Sequence, residues 1–202
     1  MALDLAKAHG WVAAEVRDSR PVDDSMQRII AQCAAAAPHR DWDRLSALDF
    51  DDVGPLREWI ETSLVDEAPD APLHGLWFGI FNPVYGDGPT ADFYISGTDR
   101  FDPNPDSNEW AGGPAWWPES RYAHSEIMSA IYRIAYKKGG LGNDAEYPLC
   151  LAYTALAIRE VLNVLDARLV LKAVGPVGVA VGFDSGDFLL LGRYTRDGLV
   201  NF

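Results

Sequence analysis

The side chains of this chain that are able to do chemistry fall in three places. Asp99, Asp102, Asn104, Asp106 and Asn108 set carboxylates and amides close together in DRFDPNPDSN, an arrangement that calcium loops use. Pro103 and Pro105 restrict the curl such a loop needs, Ser107 stands where those loops carry glycine, and no glutamate closes the set. The same residue types form Asx turns, and the spacing predicts that use instead. His124 stands two residues before Glu126, and with Asp99 or Asp102 it would make an acid–base pair for a small substrate. Asp184 and Asp187 bracket the tight turn in FDSGD. Two carboxylates sharing a proton are a catalytic device, yet turn chemistry accounts for both aspartates.

The remaining catalytic patterns fail on context. Ser185 lies in that turn between two strands, and no Gly-x-Ser-x-Gly elbow occurs. KKGGLGND follows a helical pattern and lacks the lysine and hydroxyl of a phosphate-binding loop, so it reads as a linker that ends a helix. His9, His39, His74 and His124 are scattered, and neither Cys33 nor Cys150 has a close partner, which argues against zinc. The sequence therefore predicts no catalytic set, no metal and no cofactor. Both cysteines sit in helical apolar patterns and read as buried free thiols.

Charge and aromatics point elsewhere. The 202 residues carry 17 Lys and Arg against 30 Asp and Glu, a formal charge of −13. Such a field repels phosphate backbones and anionic membranes, and it speeds encounter with a basic partner. Within NEWAGGPAWWPESRY, Asn108 to Tyr122, three tryptophans share a segment too rich in proline and glycine for a regular element. Such rings either cover the core or serve as contact anchors. The expected division is a mainly structural loop with one exposed aromatic edge. The expected partner site comprises Trp110, Trp116, Trp117 and Arg121, with Asp102, Asp106 and Glu109 beside them.

These residues need elements to hold them. Residues 1–68 read as helices: Leu5, Ala8, Val12 and Val16 share one face, and Met26, Ile29, Ile30, Cys33 and Ala37 another. A short helix follows around Trp42, Leu45 and Leu48, and Pro55 opens one bearing Leu56, Trp59, Ile60 and Leu64. From residue 73 the period changes to that of strands in LWFGIF and ADFYISG, and PVGVAVGF and FLLLGRYT repeat it near the end, each couple reading as a hairpin. Between them lie a helix capped by Ser125 and one preceded by Asn143 or Asp144, with Pro148 in its first turn, whose stretch Leu149–Ile158 is apolar almost all round. The reading is α+β in one domain, an antiparallel sheet of two hairpins packed on helices around a buried central helix. MALDLAKAHGW has no basic region followed by a long apolar run, so a cytoplasmic protein without an export signal is expected.

The aromatic, proline and glycine signposts from Leu76 to Gly192, among them EWAGGPAWWPESRYAHSEI and VGVAVGFDSGDF, resemble those of small bacterial proteins regarded as immunity proteins of polymorphic toxin systems. The resemblance implies a shared fold and brings no site residues with it. It adds to the expectation of a non-catalytic binding protein that neutralises a basic toxin domain. The alternatives are an enzyme using Asp99 or Asp102 with His124, and a structural protein that self-associates through an exposed strand.

Overall fold

The computed structural model describes residues 2–18, 20–51, 53–86, 88–171, 175–184 and 186–202. The chain is mixed α and β. Four helices come first, α1 (Leu5–Arg17), α2 (Val22–Ala36), α3 (Asp41–Leu45) and α4 (Gly54–Asp66), at the apolar periodicities of the sequence. Asp4 caps α1 by accepting the Lys7 N–H, and Pro55 lies in the first turn of α4. α5 (Glu126–Tyr136) is capped by the Ser125 hydroxyl, which accepts the Met128 N–H. α6 (Asn143–Val164) is the longest helix, and residues on all its sides are buried from Pro148 to Arg159. It begins at Asn143, one of the two residues expected to precede it; the chain turns at Gly142, φ 57°, and Pro148 falls in the second turn rather than the first.

The strands are β1 (Gly75–Phe81), β2 (Val84–Tyr85), β3 (Gly88–Pro89), β4 (Asp92–Thr98), β5 (Tyr122–Ala123), β6 (Val177–Phe183), β7 (Phe188–Thr195) and β8 (Gly198–Val200). β2 and β3 form a ribbon of their own, and the other six make one sheet in the order β5-β4-β1-β6-β7-β8. β1 pairs antiparallel with β4 and β6 with β7, but β1 and β6 run parallel, Phe78 opposite Val181. The sheet is thus not wholly antiparallel as expected. β1 and β6 enter from the same end, because two helices and a long loop intervene to bring the chain back, and that crossover gives parallel strands.

Alternation then gives the sheet two faces. Leu76, Phe78, Ile80, Phe93, Ile95, Val179 and Val181 join Leu149, Leu156 and the helices in the main core. Trp77, Ala180 and Trp110 form a second cluster on the outer face. Buried charges tie the helical layer to itself. Arg159 donates to the carbonyl oxygens of Val16 and Arg20, and fully buried Asp41 pairs with Lys137 across α3 and α5. Cys33 and Cys150 are free and buried, and burial pushes the Cys33 thiol up to about 12. No helix among the described residues is long and apolar enough to cross a membrane.

Candidate functional site

The outer face of the sheet has a floor with almost no side chains. Gly75 and Gly79 of β1, with Gly178, Ala180 and Gly182 of β6, leave room for rings to lie on the backbone. A Cβ at Gly79 would stand 1.9 Å from the Tyr94 ring, and one at Gly178 would stand 2.3 Å from Phe101. On this floor Trp110 packs edge-on to Phe101 at 4.7 Å and to Trp77 at 6.1 Å. The floor was readable in the sequence as the alternation Gly-x-Ala-x-Gly in β6.

The long loop from Asp99 to Arg121 is held down at several points. Arg100 donates to the carbonyl oxygens of Glu109 and Gly112, closing the first arm. Trp116 exchanges two backbone hydrogen bonds with Gly97, and its indole N–H donates to the Glu67 carbonyl oxygen at 2.6 Å. The second arm is fixed by Trp59, Ser63 and Glu67, four residues apart along one side of α4 and its end. The Trp59 indole donates to the Ser120 carbonyl oxygen, Ser63 meets the Ser120 hydroxyl, and the Glu67 carboxylate accepts the N–H groups of Glu119 and Ser120. Hydrogen bonds from the Ser120 side chain and from those two N–H groups hold the Glu67 carboxyl below the usual carboxylate range. Glu67 was invisible in the sequence as a site residue because its partners are backbone groups.

The tryptophans divide accordingly. Trp110 is 3% exposed and Trp116 6%, so both lie within, whereas Trp117 is 46% exposed. Arg121 sits 4.6 Å from the ring centres of both Trp117 and Tyr122, and Tyr122 is 50% exposed. Trp117, Tyr122, Tyr94 and Phe81 continue as one aromatic shelf, with centroids 5.1 to 6.3 Å apart. Between shelf and loop opens a cleft of about 440 Å³, lined by Trp77, Tyr94, Trp117, Asn108, Glu109 and Asp184. A relay crosses it: the Trp77 indole donates to the Tyr94 oxygen at 3.0 Å, and the Tyr94 hydroxyl donates to the Asp184 carboxylate at 2.8 Å. Burial, then the Asp184 hydrogen bond, pushes the Tyr94 phenol well up, so it keeps its proton and Asp184 remains the acceptor. Such a cleft can receive a cation, with π faces on one side and carboxylates on the other.

Of the residues expected to meet a partner, the structure brings Glu109, Trp117 and Arg121 to this cleft or its shelf. Asp102 and Asp106 lie further along the loop, exposed; Asp102 accepts the Asn104 N–H, and Asn104 accepts the Asp106 N–H, two Asx turns in series. His124 pairs with Asp92 rather than with Asp99 or Asp102. Its Nδ1 is 3.0 Å from the fully buried Asp92 carboxylate, which also accepts the Ser125 N–H and the Tyr85 hydroxyl. That hydrogen bond leads in pushing the Tyr85 phenol up to about 12. Asp184 and Asp187 face different concavities, and Asp187 instead meets Tyr147. Ser185 lies outside the described residues. Among the described residues no group of three or more His, Cys, Asp or Glu side chains converges as metal ligands do. The chain matches no protein-family model, no curated protein and no solved structure.

Proposed function

We propose that this protein is a non-catalytic binding module whose outer-face cleft takes a basic side chain of a protein partner. The observation that carries the reading is the exposed Trp117–Tyr122 shelf, left open beside Asp184 and Glu109 although the two neighbouring tryptophans are buried. Contact energy concentrates on desolvated tryptophan and tyrosine, and a charge of −13 favours a basic partner. With the resemblance drawn from the sequence, the reading becomes an immunity protein in the cytoplasm that neutralises a basic toxin domain.

The test is association with a basic toxin domain encoded beside this gene. Trp117→Ala should speed dissociation and weaken binding by about 2 kcal/mol, roughly thirtyfold in Kd, at unchanged Tm. Trp110→Ala should instead lower stability by about 3–5 kcal/mol and leave the dissociation rate of the folded fraction alone. If Trp117→Ala changes stability and not dissociation, the loop is only a cover for the sheet. A second reading, acid–base catalysis, rests on the buried Asp92 that orients His124 beside a concavity of about 340 Å³ containing Ser129 and Arg133. It is separated from the first by His124→Gln, which should leave partner binding intact.

A further inference from the structure

β1 and β6 run parallel, so their carboxyl ends emerge together, and the chain then leaves in opposite directions, β1 toward β4 and β6 toward β7. Diverging exits open a crevice outside the carboxyl ends, the place where parallel strand pairs take ligands. Here it measures about 550 Å³. Asn82 lies just beyond β1, Phe183 ends β6, Asp187 comes from the following turn, His9 from α1, and Glu146 and Tyr147 from the start of α6.

Glu146 decides what this crevice suits. It is 6% exposed, and its two hydrogen-bond partners among the described residues are neutral: the Asn82 amide at 2.8 Å and the Tyr136 hydroxyl at 2.5 Å. Burial, then the bond to this carboxylate, pushes the Tyr136 phenol well up, so Tyr136 serves as the donor. Glu146 lies in the first turn of α6, and a buried carboxylate without a cation carries most of its desolvation cost. The other carboxylate, Asp187, lines the crevice together with Tyr147, and burial, then the Asp187 charge, pushes the Tyr147 phenol up to about 12. Among the described residues no lysine or arginine lines the crevice, and His9 directs Nε2 to the Phe188 carbonyl oxygen at 3.2 Å. The rings of Tyr147 and Phe183 stack at 5.6 Å and 14°, giving an apolar wall beside the two charges.

We propose that the crevice between the carboxyl ends of β1 and β6 binds a small organic cation, a primary ammonium or a guanidinium, through Glu146 and Asp187, with its carbon chain against Tyr147 and Phe183. This site adjoins the partner cleft at Phe183, which lines both, but Asp184 and Asp187 open onto different concavities.

The experiment is calorimetric titration of the full chain with n-butylammonium and agmatine, with n-butanol as the neutral control. Saturable binding of the cations and none of the alcohol is expected. Glu146→Gln should weaken it at least about tenfold, as loss of a buried charge partner does. Asp187→Asn, at an exposed position, should weaken it severalfold and provides the check if the Glu146 variant folds poorly. Nα-acetyl-lysine amide distinguishes the source of the cation: binding tighter than n-butylammonium with the same Glu146 dependence assigns the crevice to a partner's lysine, and weaker binding assigns it to a free amine. Absence of saturable cation binding, or equal binding of n-butanol, overturns the proposal. Trp117→Ala must leave the titration unchanged, so failure of the partner reading is read separately.

Discussion

Glu67 lies outside the tryptophan loop yet ties it down with three hydrogen bonds. Its carboxylate takes two N–H groups, and its own carbonyl takes the Trp116 indole. Because its folded-state pKa lies below the ordinary value, the contribution of this clamp is complete above the ordinary carboxylate range. It is lost as pH falls through the depressed folded value. The group is partly exposed at the end of α4, so the effect is a local release rather than global unfolding. A fluorescence titration should show an acid step reporting Trp117, and Glu67→Gln should abolish the step while shifting the neutral-pH spectrum toward that of the released loop. Identical titrations for the two proteins would remove Glu67 from this role. The side chains that advertise themselves by type, the tryptophans and loop aspartates, were legible in the sequence. Glu67, which places the tryptophan loop, and Asp92, which places His124, were not, because their partners are backbone groups or residues remote in the chain.

The helices and the long strands β1, β4, β6 and β7 followed from apolar spacing, since each buries a stripe or a face and that demand is written locally, whereas the short, largely exposed β2, β3 and β5 carry no such pattern. Pairing between β1 and β6 has no such local mark. Either strand could have lain at an edge, and only the return of the chain through α5 and α6 decides that they meet in parallel. The glycines of these two strands matter for what lies over them. Gly79→Ala would drive a methyl group into the Tyr94 ring and so push the Tyr94 hydroxyl away from Asp184. A loss of about 1–3 kcal/mol is expected, as for other overpacked sites. The indole environment of Trp77 should change with it, because Trp77 donates to the same oxygen. Denaturant unfolding with near-ultraviolet circular dichroism measures both, and an unchanged spectrum at full stability would mean that Tyr94 does not rest on that floor.

At the scale of the whole molecule, charge and shape divide the work between arrival and retention. A charge of −13 acts over about a Debye length of 10 Å in 0.1 M salt, which reaches a partner before contact but adds little once the surfaces meet. Association with a basic partner should therefore slow by about tenfold or more from low to high salt, while dissociation changes little. Neutralising Asp102, Asp106 and Glu109 together should reproduce much of that slowing at low salt. Stopped-flow association rates test this, and a salt-independent rate would put the recognition in apolar contact alone. The parallel seam also governs the order in which the molecule is made. β1 and β4 can pair as soon as both have left the ribosome, yet the other edge of β1 stays open until Val177–Phe183 emerges, two helices and a long loop later. During that interval the nascent chain displays Leu76, Phe78 and Ile80 beside an unpaired strand edge, the template on which aggregation starts. A message cut short before β6 would therefore yield a product for the quality-control machinery rather than a smaller working protein.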